Sequence, residues 1–177
     1  MSHEAVGDAE QLADRFMGQF NGFDEQTQKI FGRAMWAFLE AVGCYKDNHW
    51  LASSIMCRTT VDAVFFLAFV RTHLLNSKWQ PIIDTNALRF LLDIPFPWWR
   101  LKKWGKDHLH LDKEFLKEAE KVRQYGNFAA HLAESLMRED VGDPVAQSRM
   151  ADPDEVYESL NIVSQLVIRV MKEWREE

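Results

Sequence analysis

Three groups of residues in this chain have types and spacings that could do chemistry. The first is Arg123, Asn127 and His131, each four residues from the next on the run Val122-Arg123-Gln124-Tyr125-Gly126-Asn127-Phe128-Ala129-Ala130-His131. At about 100° per residue they fall within roughly 80° of one another, so a helix here carries three hydrogen-bonding side chains on one side. Gly126 and Ala130 lie beside them, and small residues there let another helix or backbone approach closely. A glycine inside a helix costs about 1 kcal/mol against alanine, so Gly126 is expected to have a packing reason or to mark a kink.

The second group is Pro95-Phe96-Pro97-Trp98-Trp99-Arg100-Leu101-Lys102-Lys103-Trp104-Gly105-Lys106, with three tryptophans, four basic residues and no acid. Trp98, Trp99 and Trp104 could stack bases while Arg100, Lys102, Lys103 and Lys106 meet phosphates, as in single-strand binders. The same composition suits a membrane interface or a protein partner, or tryptophans that cap a bundle beneath solvated lysines. The third group is His108, His110 and Asp112, which would share one side of an extended segment and could offer metal ligands. No second cluster with zinc spacing completes it, so no metal is expected.

No glycine-rich phosphate loop, serine elbow or metalloprotease histidine pair occurs, and no cofactor is expected. Cys44 and Cys57 lack a neighbouring histidine motif and read as buried structural thiols.

These groups need helices to position them. Apolar residues recur at three and four through long proline-free segments, and no set of alternating strands with glycine turns appears. The first strong helix is expected over 25–43, with Ile30, Phe31, Ala34, Phe38, Ala41 and Val42 as its apolar side and Gly43 as its C-cap. Residues 1–24 are expected to be an arm or a weak helix. The second helix, 48–75, is apolar around nearly its whole circumference and should be central.

Residues 76–111 read as an irregular insertion rich in tryptophan and proline, with a short helix over 84–92. A third helix begins near Asp112 and runs towards Met137. The last opens at Asp152-Pro153, an N-cap followed by the proline that suits a first turn, and continues through Val156, Leu160, Val163, Leu166, Val167 and Val170 to Trp174. The expectation is an all-α, four-to-five-helix up-and-down bundle, with residues 25–177 forming a single domain.

Composition bounds the setting. At 177 residues with 47% hydrophobic content, the chain fits one domain that needs no staple for its core. Two cysteines make no secreted framework, and a reducing cytoplasm is the expected compartment. No apolar run is read as the roughly 18 residues of a membrane span, and Met1-Ser2-His3-Glu4 lacks the order of a signal peptide. A net charge of −6 argues against generic nucleic-acid coating but leaves room for a local basic site.

The run from Val122 to His131 resembles the arginine–glycine–asparagine–alanine–histidine signature of a domain-of-unknown-function family found beside restriction-enzyme subunits, within the HEPN superfamily. A second match is Ala52-Ser53-Ser54-Ile55-Met56-Cys57-Arg58-Thr59-Thr60-Val61-Asp62. It resembles that family's helix bearing an arginine and, four residues on, an acid; Asp62 stands here where glutamate is usual.

The resemblance spans roughly residues 25–175 and implies a HEPN-like four-helix bundle that forms homodimers, with RNA or protein partners. In catalytic members the arginine and histidine support metal-independent RNA cleavage. That would give His131 a proton-shuttling role, Arg123 charge stabilisation on phosphate and Asn127 a supporting one. The spacing from Arg123 to His131 is longer than in the catalytic signature.

The same stripe has a structural reading: Arg123, Asn127 and His131 bond Arg58, Asp62 and buried carbonyls, pinning two helices in register. The expectation is therefore first a binding or accessory module, for which the resemblance implies an RNA-linked or defence-related setting. An RNA endonuclease and a scaffold docking through the Trp-rich insertion are the alternatives.

Overall fold

Local signals in the sequence set where the helices begin and end. The computed structural model describes residues 3–23, 25–74, 80, 82, 98–137 and 152–175. Among these residues there are six helices and no strand. They are α1 (His3–Phe20), α2 (Glu25–Lys46), α3 (Trp50–Leu74), α4 (Trp98–His108), α5 (Lys113–Met137) and α6 (Pro153–Arg175). The short helix expected over 84–92 lies outside the described residues.

Helix α6 starts as its sequence predicts. The Asp152 carboxylate accepts a hydrogen bond from the Asp154 N–H at 2.9 Å, and Pro153 holds the first helical position. Helix α5 has an equivalent start, with the Asp112 carboxylate accepting from the Phe115 N–H at 2.7 Å. Helix α2 runs past Gly43, its expected cap, to Lys46. Its stop is Asn48, with φ at 62°, while the Asn48 N–H donates to the Tyr45 carbonyl and the His49 N–H to the Cys44 carbonyl. That is a Schellman arrangement in which asparagine takes the left-handed position glycine usually fills.

The three-residue link after α2 sends α3 back along it, and the Ser53 hydroxyl donates to the Ala41 carbonyl across the pair at 2.8 Å. Helix α3 packs against α2, α4, α5 and α6, and Cys57, Val61, Val64, Phe65 and Ala68 are fully buried in it. By length and composition, Trp50–Arg71 of α3 could cross a membrane. In this fold the segment is the central helix of the bundle core.

Helix α1 also belongs to the core rather than forming an arm. Ala9, Leu12, Phe16 and Phe20 are buried, and the Phe16 ring lies 4.7 Å from that of Phe38. Spacings of three and four put these residues on one stripe.

Residues 98–108, expected to be irregular, form α4. Its inward positions, Trp98 and Gly105, sit seven residues apart against Phe65. A β-carbon on Gly105 would lie 2.5 Å from Phe65 Cε1, so glycine lets α4 close down on α3. After α4 the chain turns at His110, whose φ of 47° is left-handed.

Candidate functional site

The polar stripe is built where α3 and α5 cross. Gly126 is buried at the crossing, and a β-carbon there would collide with Arg58 Cβ and lie 2.8 Å from the Ser54 carbonyl oxygen. Close packing is thus the reason for a glycine inside α5. Such an approach brings side chains one turn away into reach of the opposite helix.

Arg123 uses that reach. Its Nε donates to Asp62 Oδ1 at 2.5 Å, and its Nη2 lies 3.5 Å from Asp62 Oδ2. Trp98 of α4 covers the same guanidinium, whose central carbon is 4.5 Å from the indole centroid. Arg58, one turn before Asp62 on α3, lies with its Nε 3.6 Å from Asp62 Oδ2. That separation exceeds a hydrogen bond, and Arg58 Nε is buried without a hydrogen-bond partner among the described residues.

Two guanidiniums therefore flank one carboxylate, and the shorter contact goes to the arginine on the neighbouring helix. Only 18% of the Arg123 side chain is exposed, against 34% for Asp62. The pair is thus partly sheltered from water and joins α3 to α5, with Trp98 adding α4.

The remaining members of the stripe are placed differently. Asn127 and Ala130 are half-buried, and His131 is exposed. Eight helical residues separate Arg123 from His131, which is about 12 Å along the axis. The arginine is held at the crossing while the histidine faces solvent two turns away.

The Trp-rich segment also divides. Trp98 faces inward, its ring edge-on to Phe65 with centroids 5.1 Å apart. Trp99 is 61% exposed. Lys102 is tied to Glu120 of α5 at 2.7 Å, whereas Lys103 and Lys106 are exposed. The side chains of Arg100 and Trp104 lie outside the description.

His108, His110 and Asp112 do not share an extended strand. Residue 108 ends α4, His110 turns in a left-handed conformation, and Asp112 caps α5. Asp112 is also engaged by Arg169 of α6 at 3.1 Å. The Phe115 N–H and then the Arg169 guanidinium hold its carboxyl below the usual carboxylate value. Arg169 in turn lies 4.1 Å over the Phe115 ring. Among the described residues, no three His, Cys, Asp or Glu side chains are grouped to hold a metal ion.

Both thiols are raised above their ordinary value. Burial pushes Cys57 up to about 12, and Cys44 rises through burial followed by the charges of Glu40 and Asp47. A thiol protonated to such a pH is a poor nucleophile.

One feature of α5 was not singled out from the sequence. Tyr125 and Phe128, three residues apart, are 37% and 41% exposed, and the Tyr125 hydroxyl lies 3.3 Å from Glu155. The available signal was their offset of two and five residues from Arg123, which turns them away from the α3 crossing.

Fold and site together define an all-α helical bundle in which a polar stripe crosses a glycine-mediated helix contact. Compared with protein-family models, curated proteins and solved structures, the chain has no match.

Proposed function

We propose that this chain is a non-catalytic, HEPN-like binding or accessory module, RNA-linked or defence-related, acting as a cytoplasmic homodimer. The observation that carries this reading is the engagement of Arg123. Its Nε is committed to Asp62 and its face is covered by Trp98. A guanidinium that stabilises a phosphorane must turn its N–H groups towards substrate. Here the shortest of its bonds points into the protein, and freeing it would leave the Asp62 carboxylate short of its closest partner. The long spacing from Arg123 to His131 points the same way. Tyr125 and Phe128 provide exposed apolar area on α5 suited to self-association.

The competing reading is a metal-independent RNA endonuclease using Arg123, Asn127 and His131. The exposure of His131 favours it. Purified wild type and His131→Ala, incubated with mixed RNA without metal, separate the two. The accessory reading expects intact RNA from both proteins. Cleavage by wild type alone, with equal thermal melts, would establish the endonuclease.

A further inference from the structure

Trp98 and Trp99 are consecutive on α4, and a helix turns them about 100° apart. Trp98 anchors the helix against Phe65 and Arg123, while Trp99 stays 61% exposed. Lys103 and Lys106 follow Trp99 by four and seven residues, which puts all three on one face, and both lysines are exposed. At 1.5 Å per residue, the face extends about 10 Å from Trp99 to Lys106. Lys102 is not part of it, being held by Glu120.

We infer that the outer face of α4, formed by Trp99, Lys103 and Lys106, docks single-stranded nucleic acid. This deepens the binding-module reading and rests on it.

Charge complementarity selects the occupant. Lys103 and Lys106 give this face two exposed cations against the one exposed carboxylate of Asp107, within a chain of net charge −6, so a polyanion is attracted here more than to most other surfaces. The exposed indole then discriminates among polyanions. An unpaired base offers it a planar face to stack on, with flanking phosphates within reach of the lysines. A duplex keeps its bases stacked on one another, and an acidic peptide offers carboxylates but few planar groups.

The platform is also ordered in advance. Trp98 and Gly105 fix α4 on Phe65, so docking orders few protein groups beyond the side chains that touch the strand.

The test is fluorescence anisotropy of a labelled oligouridylate with the full chain. The same strand annealed to oligoadenylate and a labelled polyglutamate serve as competing probes. The expected result is binding of the single strand that weakens with added salt. Trp99→Ala and the double variant Lys103→Glu/Lys106→Glu should each weaken it by about tenfold or more, and Trp99→Tyr should retain most of it. Replacing Lys103 alone should reduce the salt slope by about one. Lys102→Ala should bind as wild type does.

All of these positions are at the surface, and unchanged melts of the variants exclude unfolding as the cause. No binding at low salt, equal binding by Trp99→Ala, or preference for polyglutamate would overturn the assignment. A gel of the recovered oligonucleotide keeps the two readings apart. Cut strand overturns the accessory module, whereas intact, unbound strand overturns only the α4 face.

Discussion

Asp62 and Arg123 lie 61 residues apart in sequence and meet through a 2.5 Å hydrogen bond between α3 and α5. Gly126, one turn along α5, lacks the β-carbon that would hold the two helices apart at their crossing. Trp98 then closes over the arginine from a third helix. Glycine, carboxylate, arginine and indole form one physical unit, and perturbing any member should register as lost stability.

Glycine substitutions should therefore have opposite signs in two helices. Gly126→Ala gains helix propensity but drives a methyl into Arg58 and the Ser54 carbonyl, which is backbone and cannot rotate away. It should destabilise by about 1–3 kcal/mol and lower the Tm by several degrees. Gly43→Ala meets nothing within 4 Å in α2 and should stabilise by about 0.5–1 kcal/mol. Urea melts check both, and a stabilising Gly126→Ala would remove the close crossing from the account.

Asp112 should contribute stability that depends on acid. Its carboxyl is held below the ordinary value by the Phe115 N–H and by Arg169. A depressed folded pKa stabilises above the unfolded value of about 3.9, and the gain disappears as pH falls through the lowered folded value. Asp112→Ala should thus melt below wild type at neutral pH and converge with it in strong acid. Asp112→Asn, which keeps a capping oxygen but loses the charge for Arg169, should fall between them. Thermal melts from neutral pH downward read this out. A gap that stays constant into strong acid would contradict it.

Self-association through α5 should depend on Phe128. Sedimentation velocity of wild type should give a dimer, and Phe128→Glu, which places a charge in the exposed apolar pair with Tyr125, should give a folded monomer whose melt no longer depends on protein concentration. A monomeric wild type, or a dimer that survives the substitution, would rule out this face.

The legible parts of the fold are those governed by local rules. The buried stripe of α6 follows its spacing of three and four residues, and Asp152-Pro153 marks its start without any tertiary information. The end of α2 was less legible. Gly43 has the usual C-cap chemistry, but the left-handed residue is Asn48, a residue type that tolerates the same conformation.

Helix α4 was obscured by Pro95 and Pro97 immediately before it, and its low apolar content hid that Trp98 and Gly105 face Phe65. At the site, Gly126 announced a close approach and the Arg58–Asp62 spacing placed both on one helix side. What sequence could not resolve was which arginine takes the carboxylate. That is decided by how α5 lies across α3, as is the cover provided by Trp98.

The measurement that bears most directly on the account is a double-mutant cycle on Asp62 and Arg123, using urea unfolding of wild type, Asp62→Ala, Arg123→Ala and the double variant, with RNA cleavage assayed in parallel. If the stripe is architectural, the pair should show a coupling of about 1–2 kcal/mol, less than a fully buried pair because the Asp62 side chain is 34% exposed, and none of the proteins should cut RNA. Coupling within about 0.3 kcal/mol of zero, together with RNA cleavage by wild type that Arg123→Ala abolishes without altering the melt, would contradict the account.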